Sequence, residues 1–187
     1  MFCCSIGVMS MSSEDKKPEV IVGVIYNPIL NEMMSAIRGK GCHINGKLLQ
    51  SRISENDDGA GIKLRESLVN VGFPVYSKAT LDVSSKAVYT LATKVRGLRM
   101  IASASQVMCW VAQGKFNAYF SWDLNAWDIA AGMLIIEESG GYLCNFDGTK
   151  ADITSRDIIM TCNEGNEKHE LSEELRLILR ENGCHEY

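Results

Sequence analysis

The sequence predicts a mixed α/β fold in which an antiparallel strand meander is followed by alternating strands and helices. The first third of the chain consists of short runs rich in β-branched residues, separated by turn signals. Beyond it, similar runs alternate with segments whose apolar residues recur at helical spacing. Such alternation is typical of layered α/β architectures. We therefore expect two lobes, residues 1–64 and residues 65–187.

The meander is predicted from strand-like runs bounded by turn residues. We expect strands at residues 2–9, 19–26, 32–37 and 42–44, a hairpin loop at residues 11–18, and a polar surface loop at residues 51–61 near the lobe boundary. Asn45-Gly46 is a strong signal for a type I′ hairpin turn. The run from Val20 to Ile25 is apolar at nearly every position, which predicts a strand buried on both faces.

The second lobe is predicted to contain four helices between short strands. We expect strands at residues 66–71, 98–101, 117–120, 142–144 and 157–162, and helices at residues 81–95, 103–114, 125–140 and 167–181. Ser103 and Gln106 have the spacing of a capping box, in which each side chain bonds a free N–H of the first turn. Asn125 is expected to cap the third helix, and glycines are placed to end the last three helices.

Composition excludes several classes of protein. The net charge is −4, with 19 basic and 23 acidic residues interspersed, so no basic stripe suggests nucleic-acid binding. No apolar run approaches the ~18 residues that a membrane span needs. The seven cysteines are scattered, without a zinc-ligand pattern. They predict free thiols and a cytoplasmic or organelle-stromal location. Cys109 is expected in the core, and His43, His169 and His185 at isolated surface or turn positions.

The segment NAWDIAAGMLIIEESGG, residues 125–141, carries the strongest chemical signal. Asp128 falls at about the third position of a predicted helix, where free N–H groups and the helix dipole favour a carboxylate. It could ligate a hard cation, and the small residues Ala130, Ala131 and Gly132 would let a ligand approach closely. The alternative is an ordinary helix-start aspartate followed by small packing residues, and local sequence leaves both open.

Three segments together resemble one family. WDIAAG followed by EESGG resembles the C-terminal signature of the inositol monophosphatases. Residues 20–49, VIVGVIYNPILNEMMSAIRGKGCHINGKLL, resemble the family's strand meander. Residues 99–120, RMIASASQVMCWVAQGKFNAYF, resemble the segment in which a Gly-Ser/Thr-Ala turn precedes a helix and a strand. The three matches are collinear and span nearly the whole chain.

The resemblance implies an α-β-α-β-α sandwich of the sugar-phosphatase type and Mg²⁺-dependent hydrolysis of a phosphate monoester such as inositol phosphate. In the family, several carboxylates hold two or three magnesium ions that bind the phosphate and generate the nucleophile. The resemblance makes Asp128 a metal ligand and a catalytic residue beside the substrate. It also implies a homodimer and inhibition by lithium.

The resemblance also assigns substrate-binding positions. It places Ala102, Ser103 and Ala104 beside the inositol ring. The family often has glutamate seven residues before the aspartate of the Trp-Asp pair, where it bonds a ring hydroxyl. Here that position is Ser121, and Asp123 is a candidate to replace the contact. This departure leaves sugar, histidinol and nucleotide phosphates open as alternative substrates.

The family's main metal motif, Asp-Pro-x-Asp-Gly-Thr, and the metal-binding glutamate upstream of it do not occur in this sequence. We therefore expect an N-terminally truncated member that covers roughly the C-terminal two-thirds of the family's length. A single carboxylate cannot hold two Mg²⁺ ions, which demand near-octahedral oxygen coordination. We expect this chain alone to be inactive.

The missing part would also supply helices that cover one face of the meander. An uncovered apolar face is an aggregation or partner-binding surface, so we expect poor solubility or marginal stability. Three hypotheses follow: a fragment of an active phosphatase, a non-catalytic partner of a full-length relative, or an incomplete enzyme with another substrate.

Overall fold

The computed structural model describes residues 2–11, 18–50, 61–72, 78–162 and 169–184. In these ranges the chain forms two five-stranded sheets and four α-helices. The mixed α/β class is therefore confirmed. The expectations for residues 12–17, 51–60, 167–168 and His185 lie outside the described residues.

The first sheet is an antiparallel meander. Its strands are β1 (Cys4–Met11), β2 (Pro18–Asn27), β3 (Glu32–Ile37), β4 (Cys42–Ile44) and β5 (Lys47–Leu48), and they follow one another in chain order. The four predicted strands are confirmed, β3 and β4 to the residue. β5 was not predicted. It pairs with β4 across the Asn45-Gly46 turn, where both residues have positive φ, 47° and 77°, as a type I′ turn requires.

The second sheet has the order β7-β6-β8-β10-β9. Its strands are β6 (Leu68–Gly72), β7 (Gly97–Arg99), β8 (Ala118–Ser121), β9 (Tyr142–Asn145) and β10 (Ile158–Thr161). β7, β6 and β8 run parallel, whereas β10 is antiparallel to both β8 and β9. The prediction that a strand begins at Glu66 is wrong, because Leu64–Glu66 forms a turn of 3₁₀-helix before β6.

The helices form two layers. They are α1 (Lys78–Ala92), α2 (Ala104–Ala112), α3 (Ala126–Glu138) and α4 (Glu170–Glu181). α2 and α3 pack against the first sheet and one face of the second, and α1 and α4 lie on the other face of the second sheet. In the described part of the chain the layers thus run sheet, helices, sheet, helices. The division at residues 64 and 65 stays a prediction, because the larger core joins residues from both sides of it.

Two glycines set the distance between the first sheet and α3. Gly7 and Gly23 are cross-strand partners in β1 and β2. A Cβ atom at Gly7 would lie 2.8 Å from the Cβ of Ala130, and one at Gly23 would lie 2.6 Å from the carbonyl oxygen of Ala131. Gly132 approaches α2 in the same way, because its Cβ would lie 2.5 Å from the Sδ of Met108. The small residues after Asp128 therefore pack the helix against its neighbours, as the second of the two sequence readings proposed.

The opposite face of the first sheet is not buried. Val20, Gly23 and Ile25 of β2 are buried, whereas Val22 and Val24 between them are only half-buried. The prediction that this strand is buried on both faces is therefore wrong. Among the described residues, α2 and α3 cover one face of the sheet, and its other face is exposed. Within these same ranges no helix is both long and apolar enough to cross a membrane.

Candidate active site

A cavity of about 280 Å³ lies at the carboxyl ends of the parallel strands β6, β7 and β8. Ligands of open α/β sheets bind at this position, because the connections after parallel strands diverge there. The first residues of α2 and the first turn of α3 also reach the cavity. Its lining residues are Gly72, Ile101, Ala102, Ser103, Ala104, Tyr119, Ser121, Trp122, Asp123, Leu124 and Asp128.

The structure brings all the sequence-predicted site residues together at this cavity. They are Ala102, Ser103, Ala104, Ser121, Asp123 and Asp128. Sequence reasoning missed the other five lining residues. One of these had a usable signal in the sequence: Tyr119 shares a face of β8 with Ser121 because strand side chains alternate. Gly72 reaches the cavity as the parallel partner of Ser121, which only the structure shows. The roles assigned to the six residues stay predictions.

Asp128 is fixed in the first turn of α3. Its Oδ2 accepts a hydrogen bond from the backbone N–H of Asn125 at 3.0 Å. Its backbone N–H donates to the carbonyl of Asn125 at 2.9 Å, and its own carbonyl accepts from the hydroxyl of Ser105 at 2.9 Å. Asn125 is thus the residue that precedes the helix, as predicted. The side chain of Asp128 is half-buried and borders the cavity.

The predicted capping box at Ser103 is wrong. Ser103 does precede α2, but its side chain makes no capping hydrogen bond. Its Oγ lies 3.9 Å from the Sγ of Cys3. Gln106 is buried and accepts a hydrogen bond from Asn27 Nδ2 at 2.6 Å. The side chain of Gln106 therefore bonds Asn27 in the first sheet and does not form the predicted cap of α2.

The loop after β8 is held by two residues that precede β10. Asp123 has a positive φ of 54°, and its backbone N–H donates to Asp157 Oδ1 at 2.9 Å. The guanidinium of Arg156 donates to the Asp123 carboxylate and, at 2.8 Å, to Asn125 Oδ1. The Asp123 carboxylate is therefore already paired with a cation at the rim of the cavity.

Burial raises the pKa of Asp157, and the nearby Asp123 carboxylate raises it further, against the lowering effect of the Asp123 N–H. An acid whose folded-state pKa is raised stabilises the fold at low pH, and this contribution is lost as pH rises through the folded-state pKa. We predict that Asp157→Asn removes this loss. The melting temperature of the variant relative to wild type should rise between about pH 4 and neutral pH, and a pH-independent difference would contradict the assignment.

Tyr119 and Ser121 form the floor of the cavity. Both are buried, and they point to the same side of β8. Burial raises the pKa of Tyr119, and the charge of Asp128 also raises it. The hydrogen bond of Tyr119 with Ser121 acts in the opposite direction and lowers the pKa. The Ser121 hydroxyl also lies within 3.3 Å of the Trp122 carbonyl. This part of the cavity therefore offers two hydroxyl groups.

The described residues do not fit a magnesium centre. Across the described ranges no group of three or more His, Cys, Asp or Glu side chains is placed to hold a metal ion. At the cavity itself, Asp128 offers one carboxylate, and that of Asp123 is paired with Arg156. Mg²⁺ requires near-octahedral oxygen coordination, so these side chains do not provide a two-metal site.

A second cavity, of about 290 Å³, lies between β2 and the C-terminal half of α3. Its charged groups pair with one another: Arg38 Nη1 donates to Glu137 Oε2 at 2.5 Å, and Lys150 Nζ lies 3.6 Å from the same carboxylate group. None of the predicted site residues lines it. We therefore place the candidate active site in the first cavity.

Cys109, His43 and His169 do not line the candidate active site. Cys109 is buried in the core as predicted, and burial raises the pKa of its thiol well above the usual value. His43 lies in β4 and is half-buried. His169 precedes α4 and stacks on Tyr142 with ring centroids 3.7 Å apart, so it is not isolated.

Comparison with known proteins identifies the family of the chain. The model of the "Inositol monophosphatase family" matches residues 1–180. The chain belongs to the inositol monophosphatase family. An inositol-1-monophosphatase of Caulobacter vibrioides is 33% identical over 78% of the chain and 54% of its own length. Inositol monophosphatase 2 of Solanum lycopersicum is 35% identical over 85% and 56%, and Nus factor SuhB of Pasteurella multocida is 36% identical over 74% and 49%.

Solved structures of this family share the fold. A Thermotoga maritima inositol monophosphatase superimposes with a TM-score of 0.70 at 30% identity, over 88% of the chain and 59% of that protein. The enzyme from Anabaena gives a TM-score of 0.73 at 26% identity, over 87% and 60%. The chain thus spans about half the length of the sequence relatives named above.

Proposed function

We propose that the chain supplies the sugar-binding wall of an inositol-phosphate phosphatase site and that it needs further carboxylates for Mg²⁺-dependent hydrolysis of the phosphate monoester. The observation that carries this proposal is the convergence of Ser103, Ser121 and Asp128 on one cavity at the carboxyl ends of three parallel strands. Ser103 and Asp128 come from two separate segments that resemble matching segments of the family, and Ser121 lies seven residues before Asp128.

In this proposal each wall of the cavity has its own task. Asp128, held at the start of α3, would be one ligand of a metal ion whose other ligands the described residues do not supply, and it would bond a substrate hydroxyl. The turn from Ala102 to Ala104 lies beside the ring, with small side chains that leave it room. Ser121 and the paired carboxylate of Asp123 contact other ring hydroxyls.

A chimera tests the proposal. Residues of the Caulobacter enzyme that align with this chain are replaced by the chain's own sequence, so that the remaining half of that enzyme supplies the other ligands. We predict Mg²⁺-dependent release of phosphate from inositol 1-phosphate. Asp128→Asn should lower kcat at least ~100-fold, because a metal ligand is lost. Asp82→Asn, an exposed change on α1, is the matched control and should leave kcat unchanged.

The same chimera tests substrate choice. We expect Ser121→Glu to lower KM for inositol 1-phosphate, because a carboxylate accepts hydroxyl hydrogen bonds more strongly than a serine does. An active chimera in which Asp128→Asn has no effect would refute the role of Asp128. A folded chimera without phosphatase activity would refute the proposed function.

The second candidate is a non-catalytic binding partner. Two observations favour it: the described residues lack a metal-binding cluster, and one of the similar proteins is named a Nus factor. This candidate predicts a stable complex between the chain and another protein, with no phosphatase activity in the complex. We expect a cytoplasmic protein without nucleic-acid binding in either case. The family's homodimer and its lithium inhibition come to this chain as further proposals.

A further inference from the structure

Asn70 is a fully buried polar residue in β6, the middle one of the three parallel strands. Its neighbours Val69 and Val71 belong to the smaller core, on the face of the sheet that α1 and α4 cover. Because strand side chains alternate, Asn70 lies on the opposite face together with Gly72, which lines the candidate active site. Its register partner in β8 is Tyr119, which lines the same cavity. Asn70 is thus a polar group on the side of the sheet that carries the site.

The side-chain oxygen of Asn70 holds the segment that forms one wall of the cavity. Asn70 Oδ1 accepts a hydrogen bond from the backbone N–H of Ile101 at 3.1 Å. The pairing of β7 with β6 ends at Arg99, so Ile101 lies two residues beyond the last paired position. Residues 101–104, which we name the site turn, all line the cavity. Asn70 therefore ties the first residue of the site turn to the middle strand.

The side-chain nitrogen of Asn70 is not used in the same way. The backbone group of Ile101 is a donor, so the oxygen end of the amide must face it, and this fixes the orientation of the side chain. Among the residues that the structure describes, Asn70 Nδ2 has no hydrogen-bond partner. A buried donor without a partner destabilises a fold, and an apolar side chain of similar size would avoid that cost. Departures of this kind from the local rules are expected at functional sites.

A second asparagine makes the same kind of contact away from the site. Asn117 Oδ1 accepts a hydrogen bond from the backbone N–H of Leu68 at 2.8 Å. Leu68 is the first residue of β6, whereas Gly72 at the cavity is the last. Asn117 does not line the candidate active site. The bond of Asn117 therefore joins two strands, whereas the bond of Asn70 joins a strand to a wall of the cavity.

We propose that Asn70 is a positioning residue of the candidate site: its amide oxygen sets the distance between the site turn and the floor of the cavity, and thereby the space that receives the ring of the substrate. Because this role assigns the ring to the cavity, it rests on the proposed function. Asn70 does not line the cavity and acts through Ile101. Asp128 is held independently, by the backbone N–H of Asn125 and the hydroxyl of Ser105.

Loss of the Asn70 bond should therefore weaken substrate binding and leave the chemical step unchanged. In the chimera with the Caulobacter enzyme, we expect Asn70→Leu to raise KM for inositol 1-phosphate about 10-fold, with kcat within about twofold of the parent, because only the fit of the ring is altered. Asn117→Leu is the matched control, since it removes the same kind of bond at the other end of β6. It should leave KM unchanged.

The position of the site turn is measured separately, on the full chain without substrate, by hydrogen–deuterium exchange of single amides in NMR spectra. We expect the Ile101 amide to exchange faster in Asn70→Leu than in the wild type, and at the wild-type rate in Asn117→Leu. Circular dichroism melting curves establish that each variant is folded. Asn70→Ala replaces Asn70→Leu if the larger side chain prevents folding.

Three results would overturn the role of Asn70: an unchanged exchange rate at Ile101, an active chimera in which the Asn70 variant leaves KM unchanged, or an equal rise of KM in Asn117→Leu. The last result would reduce Asn70 to a general contribution to stability. A folded chimera without phosphatase activity refutes the proposed function, and the role of Asn70 in substrate binding falls with it. An active chimera with an unchanged KM refutes the role of Asn70 alone.

Discussion

Replacement of Gly23 by valine is expected to lower the free energy of unfolding by about 3 kcal/mol. A Cβ atom at this position would lie 2.6 Å from the carbonyl oxygen of Ala131 and 3.1 Å from its Cα. Both are backbone atoms of α3, so a side-chain rotation cannot relieve the overlap. The sheet and the helix must separate, and they form the larger of the two cores.

The measurement is a thermal melt followed by circular dichroism. For a chain of this size the loss corresponds to a fall in melting temperature of about 6 °C or more. Gly23→Ala should give an intermediate fall, because it adds only the first carbon. Val24→Ile adds a methyl group at the next residue but on the exposed face of the first sheet, and it should change the melting temperature little. A Gly23→Val protein as stable as Val24→Ile would contradict this packing.

Asn27→Leu is expected to cost about 2–4 kcal/mol, because it breaks several buried hydrogen bonds at once. Asn27 Nδ2 donates to Gln106 Oε1 at 2.6 Å, and Asn27 Oδ1 accepts from the backbone N–H groups of Ile29 and Leu30, both at 3.0 Å. Asn27 and Gln106 are both almost fully buried. The substitution therefore leaves the Gln106 amide oxygen without this partner and frees the turn after β2.

Urea unfolding measures the loss. The double variant Asn27→Leu with Gln106→Leu is the informative control, because removing both partners of a buried polar pair costs less than removing one. We expect the double variant to be more stable than the sum of the two single losses predicts. Additive losses would show that the two side chains do not form a coupled pair.

Sequence analysis located most elements because turn residues stand at their ends. The bounds of β3 and β4 were predicted to the residue, because Gly39 and Gly41 separate the two strands and the Asn45-Gly46 turn follows β4. Where no turn residue marks the end of an element, the predicted bounds were wrong. The strand expected from Glu66 begins only at Leu68, and the helix expected from residue 81 begins at Lys78.

Tertiary contacts explain the larger errors. The capping-box pattern at Ser103 and Gln106 is a local rule, and the buried amide of Asn27, 79 residues away, overrides it. The apolar run of β2 predicted burial on both faces, because composition alone cannot show what covers a sheet. The local sequence likewise does not show whether a small residue makes room for a ligand or for a neighbouring strand. At Ala131 the small side chain makes room for Gly23 of β2.

The residues that line the candidate site were predicted mainly from the resemblance to the family. The six predicted residues all reach one cavity, although four come from two separate motifs and Ser121 and Asp123 lie between those motifs. Arg156 was not predicted, because it lies outside the family motifs and reaches the site only through its contacts with Asp123 and Asn125. Partner residues of this kind need the structure, since no local pattern connects residue 156 to a loop more than thirty residues upstream.

We propose that this chain holds one wall of a phosphatase site but too few carboxylates to hydrolyse a phosphate ester alone. The most direct test measures phosphate release from inositol 1-phosphate by the purified, folded chain with millimolar Mg²⁺, beside the Asp128→Asn variant. We predict no release above background and no difference between the two proteins. Release by the wild type that Asp128→Asn abolishes would contradict this proposal, because it would mean that other groups of this chain complete the metal site.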